Sequence, residues 1–155
     1  MPGTDDSPAK RLAGFIAKYD PAIVKIVRAA RSKLRRMLPA AVELVYDNYN
    51  ALAIAFGPTE RPSDAIVSLA VYPRWVLLYF IRGAKLSDPK KLLQGSGNRG
   101  RHITLEGADD LDRPDVRALV NAAIREAPVP MRKSGRGYTV IKTVSRRQRP
   151  RRAGS

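Results

Sequence analysis

The residues best placed to do chemistry lie in "LLQGSGNRGRHITL" (residues 92–105), where Gly95, Gly97 and Gly100 spell a literal G-x-G-x-x-G. That pattern binds dinucleotides when a strand precedes the first glycine and a helix opens after the last, because the pyrophosphate rests on the helix N-terminus. Here the preceding "SDPKKLLQ" reads as a short helical piece and the following "RHITL" as a strand. The dinucleotide reading therefore fails on both sides. Two others remain. Consecutive N–H groups of a glycine-rich loop can face one concavity, with Arg99, Arg101 and His102 adding positive charge and Ser96 and Asn98 polar contacts; that is an anion nest. Alternatively the glycines only turn the chain from one element into the next. The candidate anion-binding set is Gly95, Ser96, Gly97, Arg99, Arg101 and His102.

Other chemistries have less behind them. With 0 Cys and 1 His the sequence holds no disulfide framework, thiolate zinc site, cysteine nucleophile or imidazole cluster. No G-x-S-x-G elbow surrounds Ser96, and Ser96 with His102 lacks a third catalytic partner. The acids Glu106, Asp109, Asp110, Asp112 and Asp115 are a candidate for a hard cation, but they lack EF-hand spacing. Some of them precede a helix, where carboxylates favour the dipole for ordinary reasons. No catalytic residue, resident metal or cofactor is assigned, and the chain is expected not to be an enzyme.

Charge is distributed unevenly. Of the net +15, residues 1–40 carry nine Lys/Arg against three Asp/Glu, residues 41–130 eleven against eleven, and residues 131–155 nine against none. A neutral centre with basic ends attracts polyanions. The partners this suggests are an anionic small molecule, an acidic protein, or nucleic acid met by the basic termini. No groove-reading or RNA-binding signature accompanies them. The first residues lack a signal-peptide pattern, and the longest apolar run, "WVLLYFI", is far short of the roughly 20 residues of a spanning helix. The expectation is a cytoplasmic protein without a membrane partner.

The elements that must position these residues follow from periodicity. Pro8–Lys18 is a short helix with Leu12, Phe15 and Ile16 on one face. "DPAIVKIVRAARSKLRRML" is a longer one, with Asp20 as N-cap, Pro21 at the first helical position and Pro39 as the stop. Its Ile23, Ile26, Val27, Ala30, Leu34, Met37 and Leu38 fall within an arc of about 120°, while Lys25, Arg28, Arg31, Arg35 and Arg36 lie outside it. The period then changes to two. "ELVYD", "ALAIAF", "AIVSLAVY" and "WVLLYFI" read as strands, the last two as a hairpin about Pro73-Arg74. Its pairing makes one face wholly apolar and sets Tyr72, Trp75 and Tyr79 around small residues on the other. That second face is a shallow binding surface, a dimer contact, or a face covered by a helix; coverage is the plainest reading for strands apolar on both sides. "HITL" is a further strand, Pro114–Ala127 a helix, and "YTVIKTV" a last strand. Sequential strands on short connections argue for an α+β fold, an antiparallel β-sheet with helices packed on it. Residues 1–145 form one domain, and 146–155 form a basic tail too polar to pack, expected to be flexible.

The stretches "ELVYDNYNALAIAFGPTERPSDAI", "YPRWVLLYF", "GAKLSDPKKLLQGSGNRGRHITL" and "GYTVIKTVSRRQRPRR" resemble the YdhG-like family of small bacterial domains, from about Glu43 onward. The resemblance implies a frataxin-like sandwich and treats the closing basic stretch as part of the domain. It also brings in a proposed iron-chaperone role, which in frataxin-type proteins depends on acids along the first helix. The corresponding helix here carries Lys25, Arg28, Arg31, Lys33, Arg35 and Arg36, so that role does not transfer residue by residue. The leading expectation is a non-enzymatic binding or adaptor module for an anionic ligand. The alternatives are iron delivery through the 106–115 acids, a nucleic-acid-associated basic protein, and an enzyme holding an anionic substrate on Arg99, Arg101 and His102.

Overall fold

The computed structural model describes residues 7–153. Two helices come first, α1 (Pro8–Ala17) and α2 (Pro21–Met37), followed by strands β1 (Val42–Asp47), β2 (Leu52–Gly57), β3 (Val67–Val71), β4 (Val76–Phe80) and β5 (Arg101–Leu105), then helix α3 (Pro114–Arg125) and strand β6 (Tyr138–Val144). The strands form one sheet in the order β5-β4-β3-β2-β1-β6. This is the α+β arrangement expected, with one difference in detail. β6 joins the edge parallel to β1, so the sheet is mixed, and Lys142 is an extra residue where the register shifts between Val45 and Tyr46.

Helices α1, α2 and α3 cover the same sheet face. Leu12 and Ile16 of α1, Ile23, Val27, Ala30 and Leu34 of α2, and Val116, Leu119 and Val120 of α3 pack in one cluster with Ile54, Leu69, Leu78, Phe56, Val67 and Phe80. The 3.6-residue spacing of those α2 positions produces the face, and Pro21 opens the helix at no cost in hydrogen bonding. The β3–β4 hairpin has the register read from sequence, Val67 opposite Phe80 through Val71 opposite Val76. Tyr72 N–H donates to the Trp75 carbonyl across the turn at 2.9 Å.

Among the described residues, no helix covers the opposite face. Its buried residues Val42, Leu44, Ala55 and Ala65 pack only with strand and connection residues, Tyr46, Ile81 and Val140 among them. The plain expectation of a covered aromatic face is therefore corrected: Trp75 is 49% exposed and Tyr79 37%. Coverage fails because all the apolar helix stripes are spent on the first face.

Two further expectations change. "SDPKKLLQ" is not helical; the Asp88 carboxylate accepts from the N–H groups of Leu92 and Leu93 at 2.9 Å, and this side-chain turn replaces a helix. The tail also packs. Arg151 is buried and ion-paired with buried Asp47 at 2.9 Å, and its guanidinium lies 5.7 Å over the Tyr19 ring. Arg149 N–H donates to Tyr49 O, and Ala153 N–H donates to the Asp20 carboxylate. Asp20 thus takes a tail amide while making no cap bond to α2. Even a strongly charged segment packs where a buried acid awaits one of its arginines.

Candidate functional site: an arginine-lined cavity

The glycine loop is a hairpin connection. Gln94 and His102 exchange both backbone hydrogen bonds, at 2.8 and 2.9 Å, so residues 95–100 form the loop between Gln94 and the start of β5. Gly95 and Gly97 hold φ of 116° and 94°, a region that favours glycine. The Arg101 guanidinium turns back on its own loop, donating to Gly100 O at 2.7 Å and Gly97 O at 2.9 Å. It therefore clamps carbonyls within the loop. Arg99 and Ser96 are exposed. His102 stacks on Tyr79, with ring centroids 6.2 Å apart and planes at 13°. Gly100 lies beneath that tyrosine, where a Cβ would meet the ring at 2.4 Å. The structure thus brings Tyr79, Gly100 and His102 together. It leaves Tyr72 and Trp75 at the far end of β4, about 13 Å along the strand.

The acidic residues do not converge either. Asp110 accepts from the N–H groups of Glu106 and Gly107, Asp112 pairs with Lys33 at 2.7 Å, and Asp115 pairs with Arg113 at 2.9 Å. Among the described residues no group of three or more His, Asp or Glu is arranged to hold a metal.

A different concavity gathers the charge. A cavity of about 430 Å³ lies between α2, the start of β1 and the approach to β6, lined by Arg28, Arg31, Ser32, Arg35, Arg36 and Arg136 above Glu43 and Phe56. Helical spacing explains the first members: Arg28, Arg31 and Arg35 are separated by three and four residues and so share one face. The Glu43 carboxylate, on the inward side of β1, is 3% exposed and accepts from Arg31 Nε at 2.7 Å, Arg31 Nη2 at 2.9 Å and Thr139 Oγ1 at 2.9 Å. This two-pronged pair fixes Arg31 as a wall and neutralises it. Among the described residues, Arg28, Arg35, Arg36 and Arg136 have no carboxylate partner.

Arg136 reaches the cavity through a tight backbone approach. Gly137 N–H donates to Pro39 O at 3.1 Å, and a Cβ on Gly137 would stand 2.5 Å from the Ala41 carbonyl oxygen. Only glycine lets β6 enter here. The basic face of α2 was visible in the sequence; the meeting with Arg136, 100 residues after Arg36, was not. Glu43, sharing a face with Val45, signalled only that an inward carboxylate there demands a cation, which Arg31 supplies; nothing in the sequence pointed to Arg136.

The class defined by fold and site is a small α+β domain with one open sheet face and a cation-lined cavity under its longest helix. Comparison of the chain with family models, with curated proteins and with solved structures gives no match in any of the three. Among the described residues no helix is long and apolar enough to cross a membrane.

Proposed function

We propose that this protein is a non-enzymatic binding module for an anionic ligand, and that the ligand sits in the arginine-lined cavity. The observation carrying this reading is the set of four arginines around one concavity that have no carboxylate partner among the described residues. Like charges held together are unfavourable until an anion joins them, and arginine forks match phosphate and carboxylate oxygens two at a time. The glycine loop is the weaker locus, because Arg101 is committed to its own loop carbonyls. Membership of the YdhG-like family belongs to the same proposal. It rests on the sequence stretches that carry the resemblance, the closing basic stretch among them. The cytoplasm is the proposed setting, since phosphorylated ligands are abundant there.

Thermal unfolding with added pyrophosphate tests the site. At 100-fold over Kd a ligand adds about 2.7 kcal/mol, which for a chain this size raises Tm by roughly 5–10 °C. Wild type and Arg99→Ala/Arg101→Ala should both respond, and Arg35→Ala/Arg136→Ala should not. Loss of the response in the Arg99/Arg101 variant instead would move the site to the glycine loop. No response in wild type would end the proposal.

A further inference from the structure

We infer that a basic track, running from the β3–β4 turn to the end of α2, is an interface for single-stranded nucleic acid. The inference rests on the anion-binding reading and names its ligand class. Its first support is continuity. Arg28 lines the arginine cavity and also an adjoining concavity of about 500 Å³ that includes Lys25 and Arg152. Arg152 in turn lines a third concavity, of about 580 Å³, with Tyr72, Arg74, Trp75 and Arg149. Three depressions thus share walls, and each shared wall is an arginine. From Lys25 to Arg36 alone the track follows α2 for about 16 Å. A row of cations that long suits a string of phosphates better than a single ion. Among the described residues, those lining the second and third depressions include no carboxylate, although Asp20 reaches Arg152 at 3.9 Å from outside the lining.

The second support is the aromatic end. Trp75 is half exposed, with the Tyr72 ring 5.9 Å away and tilted by 42°. Arg74 and Arg149 flank it in the same depression. A flat indole beside guanidinium groups stacks an unpaired base while the cations take the neighbouring phosphates. Bases in a duplex are stacked on each other and do not offer that face. Trp75 therefore selects single strands, and the arginines supply affinity regardless of sequence.

Trp75 is the single tryptophan of the chain, so its emission reports stacking directly. The full chain is titrated with a twelve-residue oligothymidylate, a duplex of equal phosphate count, inorganic polyphosphate, and phosphatidylserine vesicles. Anisotropy of labelled ligands serves the variants. The expected result is quenching by the single strand, with affinity falling about 50-fold between 50 and 200 mM salt if four phosphates are contacted. Trp75→Leu should weaken the single strand about 5- to 160-fold and leave polyphosphate unchanged, while Arg28→Ala/Arg74→Ala should weaken both. Equal binding of polyphosphate, duplex and single strand, with no effect of Trp75→Leu, overturns this inference and leaves the anion-binding reading standing. Preference for the vesicles overturns it in favour of a membrane surface. Failure of wild type to bind any of these, or pyrophosphate, removes both.

Discussion

Glu43, Val45 and Asp47 share the helix-facing side of β1, so two carboxylates are drawn out of water along with a valine. Each survives burial because an arginine comes to it, Arg31 from α2 and Arg151 from the tail. The second pair is nearly dry, with side-chain exposures of 4% and 1%, and the Tyr19 ring packs against Arg151. Removing one member of such a pair strands the other charge, at a cost of about 3–5 kcal/mol. Arg151→Ala should lose that much in urea unfolding, whereas Arg146→Ala, exposed on the same stretch, should stay within about 0.5 kcal/mol. Equal effects would mean that Arg151 is not held as described. Tyr19 adds a pH dependence. Its hydroxyl donates to Val71 O at 3.0 Å, and burial pushes its phenol up to about 12, against the lowering pull of Arg151. A raised folded-state value means the native protein keeps its proton after the unfolded chain has released its own at about 10. The resulting stability is fully present below pH 10 and is lost as pH rises from 10 towards 12. Tyr46, by burial, and Tyr138, by its bond to Glu60, are raised as well, so stability in wild type should fall by more than one proton's slope over that window, and by about one proton less in Tyr19→Phe.

At the scale of elements, α2 does two jobs with two faces. Ile23, Val27, Ala30 and Leu34 dock it on the sheet, and the arginine face forms one wall of the cavity. Its apolar face was legible because helical period and burial agree there. Leu34 is fully buried, so Leu34→Ala should cost about 2–5 kcal/mol in urea unfolding. The β3–β4 register was legible for a related reason, since alternation fixes pairing once a turn is placed. What sequence could not supply was long-range partnership. "SDPKKLLQ" has helical composition, but Asp88 turns its own backbone. The tail has the composition of a solvated segment, but Asp47 lies 104 residues away from Arg151 and waits for it. The glycine motif matched as a string and yet serves a hairpin. The glycine that shapes the cavity is Gly137, in no recognisable motif. Gly137→Ala forces its Cβ against the Ala41 carbonyl, and overpacking of that kind costs about 1–3 kcal/mol. It should also shift Arg136 and weaken pyrophosphate binding, measured by calorimetry. An unchanged affinity would separate the β6 entry from the site.

For the whole molecule, the two basic ends of the sequence are brought to one side of the domain. Arg152 donates to Lys18 O, Ala153 N–H reaches Asp20, and Arg151 enters the core beside Tyr19, so the closing stretch binds the α1–α2 corner to the end of β1. This arrangement concentrates positive charge along α2 and the tail while the centre of the chain stays neutral, and the +15 acts as a directed field. It also changes which of the many basic residues a protease can reach. Cleavage needs several residues of extended, detachable backbone, which the 127–137 connection provides: Lys133 is exposed and lies outside any helix or strand. The bond after Arg151 sits where the side chain is buried and its neighbours are hydrogen-bonded. Limited trypsin digestion of the native protein should therefore cut first in the 127–137 connection and spare the bond after Arg151, although the tail is the richer in arginine. Early loss of residues 152–155 by mass spectrometry would show that the tail does not stay docked. If it does stay docked, deleting residues 146–155 must leave Asp47 buried without its cation, and the truncated chain should unfold at lower urea by about the same 3–5 kcal/mol as Arg151→Ala.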